Sequence, residues 1–583
     1  MNNASLELGG TNWAEKDASL LGYTVSDDSG RFFPQEFTFS RGSNLAATRI
    51  GKTGLIEKGR ENLLLQSNQF DTTWTVAGST ITDGQSGYDG SNNAWLLSKS
   101  SASGNLGQNT TSNGVTTFSV YAKANASLYL RLIIFDGTFA ANGAAYFDLQ
   151  NGALGTTNAI DSNIESVGNG WYRCSVSFNT SNQRVYIYPA EANSTTGTTG
   201  SIYIQDAQLE LGLSASPYIP TTTTTAQAGV LENTPRLNYT TGVANPSLLL
   251  EPSRTNLIRY SEYIDGLLKG GNPTLSIESE TNPSGNAFAY KVTATATNSR
   301  IQDSLGPKGN NFVFSGFFKG TGTATRIYFV NNQGEGVYYD IDTNGTFTLY
   351  SEDIVNDNYG IDDYGNGWHR IYFETTTSSV SANYIQVFAD ALDGDGSVFI
   401  WGLQAEQGSY PTSYIPTYSG QSATRAQDVC IKTDATGEIN STEGVLFIEG
   451  KVEEEDSFAV STLSISDGTD SNRLSILQYR SSPLIRASMN VGGATQFDMQ
   501  IGAQTRGLYY KIAAVYSENN CSLFINGVKI GNDTSATMPS PNTFNKIGFV
   551  IAADQYNYQG NVKQVLLYPT ALTDAEVITL TTP

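Results

Sequence analysis

An ordered block of motifs occurs twice in this chain of 583 residues. Phe118-Ser-Val-Tyr-Ala-Lys123, Asn169-Gly-Trp-Tyr-Arg173, Gln208-Leu-Glu210 and Tyr218-Ile-Pro-Thr221 form the first series. Phe314-Ser-Gly-Phe-Phe-Lys319, Asn366-Gly-Trp-His-Arg370, Gln404-Ala-Glu406 and Tyr414-Ile-Pro-Thr417 form the second, displaced by 196 or 197 residues throughout. A spacing kept over so long a stretch requires two copies of one folded module. Two linked copies favour multivalent display, because a second tethered site raises avidity without a new contact.

The segments between the motifs read as β-strands. Phe118, Val120 and Ala122 share one face of a strand, and Ser119, Tyr121 and Lys123 the other. Asn151-Gly152, Asn169-Gly170, Asn344-Gly345, Asn366-Gly367 and Asn526-Gly527 supply hairpin turns. Amphipathic helices are nearly absent; the best signal is the capping box Thr573-Asp-Ala-Glu-Val577. The fold class expected is all-β, with tandem antiparallel sandwich (jelly-roll) modules followed by a further sandwich. The expected divisions are an N-terminal attachment segment at 1–59, module one at 60–221, a linker at 222–253, module two at 254–420 and a C-terminal unit at 430–583. The connectors repeat too: Gly54-Leu-Ile-Glu57 is echoed by Gly229-Val-Leu-Glu232, and Ala47-Thr-Arg49 by Ala423-Thr-Arg425.

Charged residues make up 15% of the chain, so neutral polar groups must cover much of its surface. The net charge of −22 argues against binding nucleic acid or an anionic membrane by charge. No run of apolar residues is long enough for a membrane helix. The opening residues Met1–Gly10 carry no leader pattern, so none is expected. Cys174, Cys430 and Cys521 lack metal-site or disulfide spacing and are expected as core residues. No cofactor or metal is expected.

His369 is the only histidine, which removes histidine-dependent triads and multi-histidine metal sites. Glycoside hydrolysis needs only two carboxylates and stays open as a polysaccharide depolymerase alternative. Glu453-Glu-Glu-Asp456 reads as a solvated charge run, and Asp393-Gly-Asp-Gly-Ser397 as a hairpin turn rather than a calcium loop. Sugar binding asks for exposed aromatic rings beside amides and carboxylates. The candidates are Trp171 and Trp368, which hold equal places in the two copies, Trp401, and the loop Asp554, Tyr556, Asn557 and Tyr558. Core packing is the competing reading of the tryptophans.

Arg254-Thr-Asn-Leu257, Tyr260-Ser-Glu262, Trp401-Gly-Leu-Gln-Ala-Glu406 and Ser409-Tyr-Pro-Thr-Ser-Tyr-Ile-Pro416 resemble a jelly-roll module of tailed-phage fibre and virion proteins, described as carbohydrate-binding-like. Copy one departs from it at Gln205-Asp-Ala-Gln208. Leu523-Phe-Ile-Asn-Gly527 and Gly560-Asn-Val-Lys-Gln-Val-Leu-Leu-Tyr568 resemble the concanavalin A-like (laminin G-like) lectin/glucanase fold. Lys563 stands where many of those relatives place an acidic residue, which speaks against calcium there. These resemblances imply a non-enzymatic virion structural protein, a fibre or decoration on tail or capsid. Its implied partners are other virion proteins and cell-surface glycans, with a homotrimer by resemblance alone. A purely architectural spike without ligand is the further alternative.

Overall fold

The computed structural model describes residues 4–11, 13–16, 19–26, 31–42, 45–137, 143–180, 184–240, 243–306, 311–354, 358–376, 383–390, 392–455, 459–502, 504–551 and 556–583. Strands dominate, and the single α-helix among these residues is Asp574–Thr581. Its N-cap Thr573 and Glu576 satisfy each other's backbone N–H groups, as the capping box predicts.

Each module is a pair of six-stranded antiparallel sheets. In module one, strand Gly114–Ala124 lies between Trp171–Thr180 and Gly200–Leu211. In module two, Asn311–Gly320 lies between His369–Thr376 and Ser397–Gln407 in the same order. Phe118, Val120 and Ala122 face the module core, together with Leu130, Leu132 and Ile187. The hairpin at Asn169-Gly170 turns with φ of 54° and 75°, and its copy at Asn366-Gly367 with 51° and 78°. A turn with two positive φ angles matches the twist of the strands that it joins, and Asn-Gly adopts it at low cost.

The modules pack on each other. Ile56, Val115 and Leu213 from the first half enter the core cluster of module two, and the Val115 N–H donates to the Tyr418 carbonyl.

Residues 1–59, expected as a separate attachment segment, instead supply strands to the C-terminal sandwich. Leu6–Gly9 pairs with Gly560–Tyr568, and Arg31–Ser40 with Val429–Lys432. Ser247–Leu250 from the expected linker adds to the same strand Gly560–Tyr568. The physical reason is alternation: Leu6, Leu8, Phe37 and Phe39 all bury fully in the core around Leu446, Ile448 and Val565. Without these segments that core would face water along two sheet edges. The three cysteines are buried free thiols.

Candidate functional site

The repeated motifs build a scaffold, bond for bond. Asn62 donates from Nδ2 to the carbonyls of Ala207 and Ile219, while its Oδ1 accepts from the N–H groups of Leu64 and Leu209. Asn256 repeats all four bonds with Leu403, Ile415, Ile258 and Ala405. Gln208 donates to Glu210 and accepts from the Ile219 N–H at 2.7 Å; Gln404 does the same with Glu406 and Ile415. Each glutamate then holds the N–H and hydroxyl of a strap residue, Ser216 or Thr412. The Gln-x-Glu pair thus ties down the Tyr-Ile-Pro-Thr strap across the sheet.

The copies part company where each module meets its connector. Glu57 lies five residues before Asn62, and Glu251 five before Asn256. Glu251, and not the look-alike Glu232, is therefore the structural counterpart of Glu57. In copy two this place is closed by charge. Arg236 and Arg425, both buried, pair with Glu251 at 2.5 and 3.0 Å. Arg236 and the buried Arg41 also engage Asp428. Burial alone would raise the Glu251 pKa, but Arg425 and Arg236 outweigh it and hold the carboxyl far below its usual range. Next to this network Arg254 donates to Glu455 of the C-terminal sandwich at 2.6 Å and lies over the Tyr410 ring. Arg480 reaches the same carboxylate at 3.1 Å. Glu455 is therefore a latch between domains and not part of a solvated run; Asp456 lies outside the described residues.

Copy one keeps only the outline. Arg49 pairs with Glu57 at 2.9 Å and with Glu15 at 3.0 Å. Ala228 faces Arg60 across the two-stranded ladder at the position where Arg425 faces Arg254. Ser214 stands in place of Tyr410, two residues past the glycine that follows each Gln-x-Glu strand. With the large side chains gone, a cleft of about 1280 Å³ opens between the two modules and their connectors. Arg60, Glu61, Ser214, Gln227, Asn286 and Tyr418 are among its walls.

Most charges in the cleft are already committed. Lys58 donates to Glu262 at 3.1 Å and to the Tyr418 hydroxyl at 2.5 Å. Burial and then Glu262 push that phenol well above its ordinary pKa, so it stays protonated. Glu210 is held by Gln208 and Ser216. Arg60 and Glu61 make no side-chain hydrogen bond or ion pair among the described residues. The walls combine one uncommitted cation, one uncommitted anion and several neutral hydroxyls and amides. That set suits a polyhydroxylated ligand, whose many weak donors and acceptors need convergent polar partners.

The residues singled out from sequence lie elsewhere. Trp171 is 2% exposed and packs with Tyr88 and Tyr121. Trp368 is 1% exposed and donates to the Thr281 carbonyl. Trp401 is fully buried between Phe317 and Tyr414. A ring sealed in a core has no face to stack on a sugar, so the expectation of ring platforms is corrected for all three. Tyr558 is likewise buried, with its hydroxyl on Gln478 at 2.7 Å. Asn557 is half-buried in a bridge to Thr462, Tyr556 is exposed, and Asp554 lies outside the described residues. Asp390, Asp393 and Asp395 bring carboxylates within 4.8 Å of one another. The Asp390 carboxylate closes its own turn, accepting from the N–H groups of Leu392, Gly394 and Gly396.

Sequence reasoning missed the cleft. The available signal was the arginine three residues after the glutamate in each of the two glutamate-to-asparagine frames, Arg60 against Arg254, together with the change from Arg425 to Ala228.

Residues 451–578 match the family described as the Concanavalin A-like lectin/glucanases superfamily. This segment is a concanavalin A-like domain, as its Asn-Gly hairpin and following strand implied. No curated protein matches the chain. Among solved structures, the CBM40 of the Ruminococcus gnavus IT-sialidase bound to alpha2,3 sialyllactose is 18% identical with a TM-score of 0.22, over 24% of this chain and 83% of that one. The CBM22-1-CBM22-2 tandem domain of Paenibacillus barcinonensis Xyn10C is 12% identical with a TM-score of 0.20, over 63% of this chain and all of that one. The heptameric SAP-like pentraxin of Limulus polyphemus is 13% identical with a TM-score of 0.18, over 24% of this chain and 70% of that one. TM-scores this low transfer no function to this chain.

Proposed function

We propose that the chain is a non-catalytic glycan-binding display protein and that the cleft beside module one holds the glycan. The observation that carries this reading is the asymmetry between the copies. The same connector site is filled by Arg425, Tyr410 and Glu455 in one and left as a cleft of about 1280 Å³ in the other. A lectin/glucanase-type domain at residues 451–578 is consistent with it.

Support for a non-catalytic role comes from the cleft acids. Glu15 and Glu57 share the Arg49 guanidinium, an arrangement suited to structural ion pairs rather than to a proton donor facing a base. The phage-module resemblance of residues 60–420 makes a virion surface the proposed place of display. Trimeric assembly there would present three clefts and raise avidity.

A glycan array probed with the full chain, and with Ala228→Arg, tests the reading. Binding by the parent chain that is lost in Ala228→Arg is the expected result. Retention of every bound glycan by Ala228→Arg would remove the cleft from consideration.

A further inference from the structure

Copy two shows what its connector arginine is built to hold. The Asn62 and Asn256 bond sets are the same, so Arg60 and Arg254, each two residues earlier, leave equivalent backbone positions. Arg254 spends its guanidinium on the Glu455 carboxylate. Arg60 meets no carboxylate among the described residues and forms part of the cleft wall. A guanidinium recognises a carboxylate through paired, charge-assisted hydrogen bonds, the strongest polar contact that such a cleft can offer. Nearby cations are not competitors for that role, because Arg49 and Lys58 are already neutralised by Glu15, Glu57 and Glu262.

We propose that Arg60 is a specificity residue that selects a carboxylated sugar, a uronic-acid-type residue, within the glycan bound in the cleft. The proposal rests on the cleft being the glycan site. The carboxylate would take at Arg60 the part that Glu455 plays at Arg254, and the sugar hydroxyls would face Ser214, Asn286 and Gln227. A sugar acid fits better than an acidic peptide. The remaining walls are rich in neutral hydroxyl and amide groups, and Ser214 stands where copy two offers the Tyr410 ring.

Calorimetry with the full chain distinguishes the outcomes. The probes are trigalacturonate, its fully methyl-esterified form, and the peptide acetyl-Glu-Glu-Glu-amide. Trigalacturonate is expected to bind about tenfold or more tightly than the ester, as one charge-assisted contact is lost. Arg60→Gln should erase that difference without changing the melting temperature, Arg60→Lys should keep part of it, and added salt should narrow it. Equal affinity for acid and ester, with both lost in Ala228→Arg, would overturn the role of Arg60 and leave the glycan site standing. Failure of both sugars, together with no hit on the glycan array, would overturn both. Binding of the peptide in preference to the sugar acid would overturn the sugar assignment.

Discussion

Asp206 and Gly402 occupy the same bulge in the two modules, and both backbones are left-handed there, with φ of 53° and 61°. The strand register breaks at this point in each copy, between Ser119 and Tyr121 and between Ser315 and Phe317. Glycine takes this conformation freely, whereas a residue with a Cβ pays about 1–2 kcal/mol. Module one accepts the strain and gains an acid under a stacked tyrosine pair. The Tyr88 ring lies 3.9 Å from Tyr121, and its hydroxyl donates to Asp206 at 2.9 Å.

The Asp206 pair therefore carries a pH signature. Burial, and less strongly the nearby Asp89, push the Asp206 carboxyl up to about 6. A folded pKa above the unfolded value means that the folded state binds the proton more tightly, so stability falls as pH rises through the range from about 4 to 6. Asp206→Gly is expected to stabilise the chain at pH 7 by on the order of 2 kcal/mol. The advantage should shrink below pH 4. Urea denaturation at both pH values measures this; an advantage that is independent of pH would leave backbone strain as the only cause.

The Gln-x-Glu straps predict matched penalties. Gln404→Ala strips the Ile415 N–H and the buried Glu406 of partners, and Gln208→Ala does the same to Ile219 and Glu210. Each is expected to cost about 2–4 kcal/mol. Thermal unfolding of the two variants should give similar losses, since the bonds are the same. A loss confined to one copy would contradict the shared scaffold.

The buried charge network makes the opposite kind of prediction. Arg236→Met leaves Asp428 and Glu251 short of a partner in a dry site, at a cost of about 3–5 kcal/mol. The depressed Glu251 pKa contributes stability that is complete above its unfolded value of about 4.5 and lost as pH falls toward the folded one. The parent chain should thus lose stability on acidification below pH 4.5, and Arg236→Met should show less of this loss. Melting curves from pH 3 to 7 report both.

Removing residues 1–40 should damage the opposite end of the chain. The deletion uncovers Val429–Lys432 and Gly560–Tyr568 and takes Leu6, Leu8, Phe37 and Phe39 from their core. Hydrogen exchange is expected to rise in 429–568 while module two stays protected. Unchanged protection of 560–568 would contradict the pairing.

Copying and alternation were legible in the residues themselves. The repeat, the strand periods, the Asn-Gly hairpins and the Thr573 capping box are local or periodic signals, and each has its expected place in the fold. The tryptophans were not legible in the same way, because the ring that stacks on a sugar also fills a core. Only the packing of Trp401 between Phe317 and Tyr414 separates the two uses. Glu455 was equally opaque: three glutamates in a row read as solvated until one of them meets Arg254 and Arg480 from distant parts of the chain.

By itself the sequence determined that there are two modules of one sandwich design and that a lectin-like domain follows them. Those features are written in spacing and in period-two alternation. Tertiary structure alone decided that the first forty residues complete the last domain, and that one connector is closed by charge while its copy stays open. Both outcomes depend on side chains hundreds of residues apart meeting in three dimensions. The exchange of Arg425 for Ala228 becomes a cleft only once both modules have packed around it.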